Sequence, residues 1–232
     1  MLTPVEIEAL RLSLYVATIA TIASLPFAIA LAYALARRRF PGHALLNAFV
    51  HMPLVLPPVV VGYFLLLMFG ARGPIGHWLD ATLGIRLIFT LKGAALASAV
   101  MSFPLMVRAI RLAIEAVDPG LEEAAQTLGA RPVDTFRSVT LPLMLPGILS
   151  GAVVAFAAGL GEFGATITFV SNIEGETRTL PLAIFTATQT PGGEAVAGRL
   201  VAIAFGLAIA MLLASEALAR RVERVIGRGP ER

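Results

Sequence analysis

The chain contains no cysteine, which rules out disulfides, a thiol nucleophile and any thiolate metal site. Its three histidines, His43, His51 and His77, are scattered and lack the spacing of a metal-ligating set. No G-x-x-x-x-G-K-[ST] sequence occurs, so the chain has no loop of its own to cradle the phosphates of ATP. Charge is scarce too. Only 14% of the 232 residues are charged, against about a quarter in a soluble domain. Apolar residues take their place, at 57% of the chain and a mean hydropathy of +0.84. An excess of that size has to face lipid. The formal charge of +3 does not point to nucleic acid, because the basic residues lie in short groups at the ends of apolar runs.

The first apolar run, Leu12 to Ala36, has 25 uncharged residues. At about 1.5 Å per residue it exceeds a hydrocarbon core of about 30 Å. Glu6 and Glu8 precede it, where a secretory signal would carry positive charge, so the run is expected to stay and span. The same length test predicts spans over Ala44–Ala71, Leu87–Val107, Leu141–Gly161 and Leu200–Ala219. Thr179–Ala187 is too short to cross and is expected at the surface or re-entering. Five spans place Arg37, Arg38, Arg39, Arg108, Arg111, Arg131, Arg137, Arg220, Arg221, Arg224, Arg228 and Arg232 on one side. That is twelve of the eighteen basic residues. The positive-inside rule then puts the N-terminus outside and the C-terminus in the cytoplasm. The expectation is an all-α membrane protein, a single transmembrane domain over residues 1–232.

One polar segment interrupts this pattern, residues 118–142. Asp118 before Pro119 is a helix start, and the three-and-four spacing puts Leu121, Ala124, Ala125 and Leu128 on one face. Gly129 suits a left-handed terminator. Pro132 can open a second helix, and Pro142 is expected to end it. A solvated loop of no special role would need none of this order: Glu123-Ala124-Ala125, three residues, Gly129, nine residues, Val139, one residue, Leu141-Pro142.

That order resembles the EAA loop of ABC importer permeases, with valine where isoleucine is usual. The resemblance implies a type I importer permease of the MetI-like fold. It also implies that the loop is a cytoplasmic coupling helix docked on an ATPase subunit through Glu122, Glu123, Ala124, Ala125, Gly129, Val139, Leu141 and Pro142. ATP and Mg would be bound by that partner, with no cofactor or metal in this chain. The stretches "HMPLVLPPVVVGYFLLL" (51–67), "MSFPLMVRAIRLAIEAVD" (101–118), "GEFGATITFVSNIEGETRTLP" (161–181) and "QTPGGE" (189–194) are similar to the permeases of bacterial molybdate transporters. Sulfate permeases are close relatives, and tungstate or thiosulfate are alternative cargoes. The resemblance implies two identical permeases, two ATPases and a periplasmic molybdate-binding protein in the inner membrane.

Pro53, Pro57 and Pro58 predict a kinked or broken second span, which either serves packing or lines a cavity. Together with Gly161, Glu162, Phe163, Gly164, Thr166 and Thr168 they form the candidate path or gate. A bare carboxylate repels an oxyanion, so Glu162 is expected to hydrogen-bond a partner helix or gate. Glu216 is expected to pair with a nearby arginine. Asn172, Glu174, Glu176 and Arg178 are the candidate contacts for the binding protein. No basic residue lies in the uncharged cores of spans one, two and four, and Lys92 sits near an end. A weakly binding passage is therefore expected between two copies, lined by carbonyls, hydroxyls and small residues. An ion-coupled carrier would need more intramembrane ionisable groups than Glu162 and Glu216. A purely structural membrane subunit is a third option, and dependence on ATP hydrolysis by a copurified subunit separates both from an importer permease.

Overall fold

The computed structural model describes residues 3–225, and every regular element in it is helical. In chain order these are α1 (Pro4–Arg37), α2 (His43–Val55), α3 (Pro58–Phe69), α4 (Pro74–Leu83), α5 (Leu91–Glu115) and α6 (Pro119–Thr127). They continue as α7 (Pro132–Thr135), α8 (Leu141–Leu160), α9 (Gly164–Val170), α10 (Leu180–Gln189) and α11 (Glu194–Val225). Thr3 starts α1 with a capping box: its hydroxyl accepts from the Glu6 backbone N–H, and the Glu6 carboxylate accepts from the Thr3 N–H at 2.7 Å. Pro4 occupies the first turn, where its missing N–H costs nothing.

α1 and α5 run side by side in the same direction. Val16 packs near Ala94 and Ala97 towards one end, and Ala32 and Leu35 pack with Ile110 and Ile114 towards the other. The 38–90 segment must therefore return from the Arg37 end to the Thr3 end. α2 and α3 make that return as one span, broken at Leu56–Pro57 and bent by 115°. With α1, α5, α8 and α11, this pair counted as one span gives five candidate crossings by length and composition among the described residues.

α8 lies antiparallel to α5 at very close range. Gly147, Gly151, Ala155 and Gly159 recur every four residues, so they form one stripe along the helix. A Cβ on Gly147 would strike the Ala113 methyl, one on Gly151 would crowd Ile110, and one on Gly159 would lie 2.5 Å from the Ser98 hydroxyl. Small residues at this spacing let helix backbones approach where lipid supplies no hydrophobic drive. The four-residue recurrence of small residues is the sequence signal for this contact.

Several span limits differ from the sequence expectation. The third span does not end at Val107. Helix α5 continues to Glu115 and carries Arg108 and Arg111 on its last turns, as long side chains allow by reaching out of the apolar zone. The fifth begins at Glu194, ahead of Leu200. The 179–187 segment is the short helix α10. It starts beside Ser13, whose Oγ accepts from the Leu180 N–H at 2.6 Å, and returns to the level of Thr3. At 10 residues it is too short to cross. Arg228 and Arg232 lie outside the described residues.

Candidate functional site

The hairpin between α5 and α8 is built as local chemistry dictates. The Asp118 carboxylate accepts from the Gly120 N–H at 2.8 Å, and Pro119 takes the first helical position. At the other end of α6, Gly129 has φ +92°. The Ala130 N–H reaches the Ala125 carbonyl at 3.0 Å and the Gly129 N–H reaches Gln126 at 2.9 Å, the two bonds of a Schellman motif. Pro132 opens α7 as expected. Pro142 does not end that helix. α7 passes through a π-helical turn, Phe136–Thr140, directly into α8, with Pro142 in the first turn of α8. The wider turn bonds Leu141 N–H back to Phe136 and relieves the clash that a proline makes with the carbonyl four residues earlier.

The side chains of this hairpin divide into two sets. Leu128 is 89% exposed, Val133 60% and Leu121 48%, and Glu123 and Ala124 are exposed beside them. Glu122 faces the opposite way. Its carboxylate accepts from the Thr140 hydroxyl at 2.7 Å and pairs with Arg37 at 3.3 Å, while Arg37 also donates to the Val117 carbonyl at 2.9 Å. Both charged side chains are about 15% exposed, so the bond is largely shielded from water. Glu122 thus belongs to an internal joint and Glu123 to the outer face. Val139, Leu141 and Pro142 lie on the π turn and the start of α8, half-buried or exposed. Arg37 was legible only as a charge flanking a span.

A second cluster forms where the two broken spans meet. Gly62 of α3 sits against α9 so closely that a Cβ would lie 2.6 Å from the Ala165 carbonyl oxygen, and a Cβ on Gly164 would lie 2.7 Å from the Pro58 ring. The proline-rich break and the 161–168 segment, paired in the sequence as candidate path, are therefore in direct contact. Pro57 and Pro58 are exposed, and Pro53 lies half-buried within α2. Glu162 bonds its own chain: it accepts from the Ala165 N–H at 2.7 Å in the first turn of α9. Phe163 packs on Phe185 of α10 with ring centroids 5.2 Å apart. Thr168 spends its hydroxyl on the Gly164 carbonyl. Thr166 is 1% exposed, turned into the bundle and away from any surface.

Near the Thr3 end, the 171–179 loop is braced from within. Asn172 donates to Thr186 at 2.7 Å and accepts from Arg178 at 3.0 Å, and Arg178 pairs with Glu174 at 2.7 Å. Asn172 and Arg178 are half-buried struts; Glu174 and Glu176 are the exposed members of the predicted contact set. Nearby, Glu6 is 2% exposed and accepts two N–H groups of Arg199, at 3.0 and 2.8 Å. The sequence carries its signal, the Thr3-x-x-Glu6 capping box, though not its partner. Glu216 pairs with Arg220 at 2.8 Å, as expected. Among the described residues no group of three or more acidic or histidine side chains converges as a metal site.

This architecture is that of an ABC importer permease. The fold matches a chain of a bacterial transporter involved in import of the acidic polysaccharide alginate, with TM-score 0.76 and 17% identity over 95% of this chain and 80% of that one. It also matches a chain of the MetNI methionine ABC transporter, with TM-score 0.74 and 18% identity over 96% and 99%. Residues 24–226 match the binding-protein-dependent transport system inner membrane component family, and the chain belongs to it. Among its relatives, the molybdenum transport system permease protein ModB of Escherichia coli strain K12 is 58% identical over 98% of this chain and 100% of its own length. The sulfate transport system permease protein CysT of Salmonella typhimurium strain LT2 is 36% identical over 94% and 80%.

Proposed function

We infer that this chain is the membrane-spanning permease of an ABC importer that moves molybdate across the cytoplasmic membrane, driven by ATP hydrolysis in a partner subunit. The observation that carries this reading is the hairpin. Its inner side is anchored to α1 and the start of α8 through Glu122, while Leu121, Glu123, Ala124, Leu128 and Val133 form an outward face that none of the described residues covers. Such a face suits a protein partner, and an ATPase is the partner that a chain without a phosphate loop requires. The gap between 58% identity to a molybdenum permease and 36% to a sulfate permease favours molybdate.

The working assembly is two copies of this chain, two ATPases on the hairpins and a molybdate-binding protein at the Thr3 end, with Glu174 and Glu176 among its contacts. All of residues 1–232 act as one membrane domain. The hairpin end lies in the cytoplasm and the Thr3 end in the periplasm. The anion passes between copies near the Pro53, Pro57 and Pro58 break and the Gly161–Gly164 corner, where Thr168 lies next to them. A dianion stripped of water would cost many kcal/mol in hydrocarbon, so this passage is hydrated and binds weakly, and affinity resides in the binding protein. Uptake by the reconstituted complex tests the cargo. Labelled molybdate should enter only with ATP and resist a large excess of sulfate. Equal competition by sulfate would move the assignment to the sulfate branch. Single cysteines at Arg39 and Glu176 test the topology with an impermeant maleimide, which should label them from opposite sides.

A further inference from the structure

α1 is fastened at both of its ends to elements far away in sequence. At the hairpin end, Arg37, its last residue, holds Glu122 of α6 and the Val117 carbonyl, and Glu122 in turn holds Thr140 of the π turn. At the other end, Glu6 in its first turn holds Arg199 of α11, and Ser13 accepts the first N–H of α10. α1 is one continuous helix of 34 residues that carries both joints and takes Pro26 in its interior without a break, about 50 Å long.

Among the described side chains, the α2–α3, α5 and α8 crossings do not combine these properties. The α2–α3 span is broken at Leu56–Pro57 and bent by 115°. α8 ends at Leu160, and the path onward through α9 turns a corner at Gly161–Phe163. α5 is continuous, yet at its outer end Thr90 caps only its own helix. A stiff element with a charged joint at each end transmits displacement between its ends, whereas a broken one absorbs it.

We propose that α1 is the rod that links the hairpin to α10 and α11, with Glu122 and Glu6 as the positioning residues of its two joints. The proposal rests on the permease reading and adds to it a route. When the ATPase moves the hairpin, Arg37 carries the motion along α1 to α10. When the loaded binding protein presses on the Thr3 end, the same rod returns the signal. Coupling of this kind is reciprocal by thermodynamic necessity.

The test uses the assembled complex of this chain, its ATPase and its binding protein in proteoliposomes. Two quantities are read: molybdate imported per ATP hydrolysed, and stimulation of ATP hydrolysis by molybdate-loaded binding protein. Glu122→Gln keeps the shape and an acceptor for Thr140 but removes the charge facing Arg37. Both readouts should fall by at least about fivefold, and Glu6→Gln should do the same from the opposite end. Because the two sites act through one rod, the double variant should be hardly worse than either single, although independent distant sites add. Glu122→Asp should recover part of the loss. Unchanged import per ATP in Glu122→Gln, or a fully additive double variant, overturns the proposal. Should Glu122→Gln fail to assemble, Thr140→Val, which spares the ion pair, and Glu6→Gln decide alone, and wild-type ratios in both overturn it. A wild-type complex that imports no molybdate would sink the permease reading itself.

Discussion

At the hairpin end, α6 is tied to α1 and α8 by one carboxylate shared between Arg37 and Thr140. In the middle of the bundle, α8 meets α5, and α3 meets α9, with scarcely a side chain between them. The first junction is directional and can turn about its bonds without losing them. The second is set by the contact of backbones, and close-packed surfaces admit few arrangements. If an ATPase moves the hairpin, as proposed above, the transporter has use for both. The middle keeps the helices in register, and the hairpin end can be displaced as a unit.

Substitutions in the two places should therefore fail differently. The largest effect is expected for Gly147→Leu, which drives a side chain into Ala113. Overpacking of this kind costs about 1–3 kcal/mol in ordinary cores, and here helix backbones rather than side chains would have to part. The protein should be lost from the membrane fraction on immunoblotting. Normal accumulation would mean that close approach is not what joins α8 to α5. Gly129→Asp comes next and should behave oppositely. A side chain there meets nothing within 4 Å and incurs only the backbone strain of φ +92°, about 1–2 kcal/mol. The protein should therefore still insert and detergent melting should fall by no more than a few degrees, while ATP-driven uptake is abolished. Melting as poor as that of Gly147→Leu would erase the distinction between the two junctions.

Two smaller effects sharpen the comparison at the Thr3 end. Asn172→Ala removes the brace between Arg178 and Thr186 and should cost about 1 kcal/mol locally. Faster amide exchange confined to residues 171–179 is the expected signature. Thr3→Ala removes one half of the α1 capping box and should cost about 1 kcal/mol or less, seen as a small drop in melting temperature with transport retained.

What the sequence disclosed follows from range. The caps at Asp118, Gly129 and Pro132 depend on neighbours within one or two turns, and they were legible as written. So was the break at Pro57. The direction of Glu122 was not, because its partners lie 18 and 85 residues away. The partner of Glu6 lies 193 residues away. Neighbouring glutamates look alike as letters, and only packing separates the inward one from the outward one. Pro142 misled for a related reason. A proline ring crowds the carbonyl four residues earlier, and the π turn before Pro142 gives the ring room and lets the helix run on. Pro26, Pro53, Pro104 and Pro146 are likewise carried inside helices. Arg108 and Arg111 lie beyond the span expected to end at Val107 because charge is disfavoured within a span, yet α5 runs on to Glu115 and an arginine stem can lie along apolar surface.

That π turn has a consequence for phase. One residue more than an α-turn holds is wound into Phe136–Thr140, so everything before it is rotated by about 100° relative to a continuous helix. The offset decides which way Pro132–Thr135, and with it the mouth of the hairpin, faces around the axis of α8. Deleting one residue from 136–140 would re-time the two halves as a cam is re-timed on its shaft. It would swing the outward apolar face of α6 away from its present heading while leaving every residue of both α6 and α8 in place.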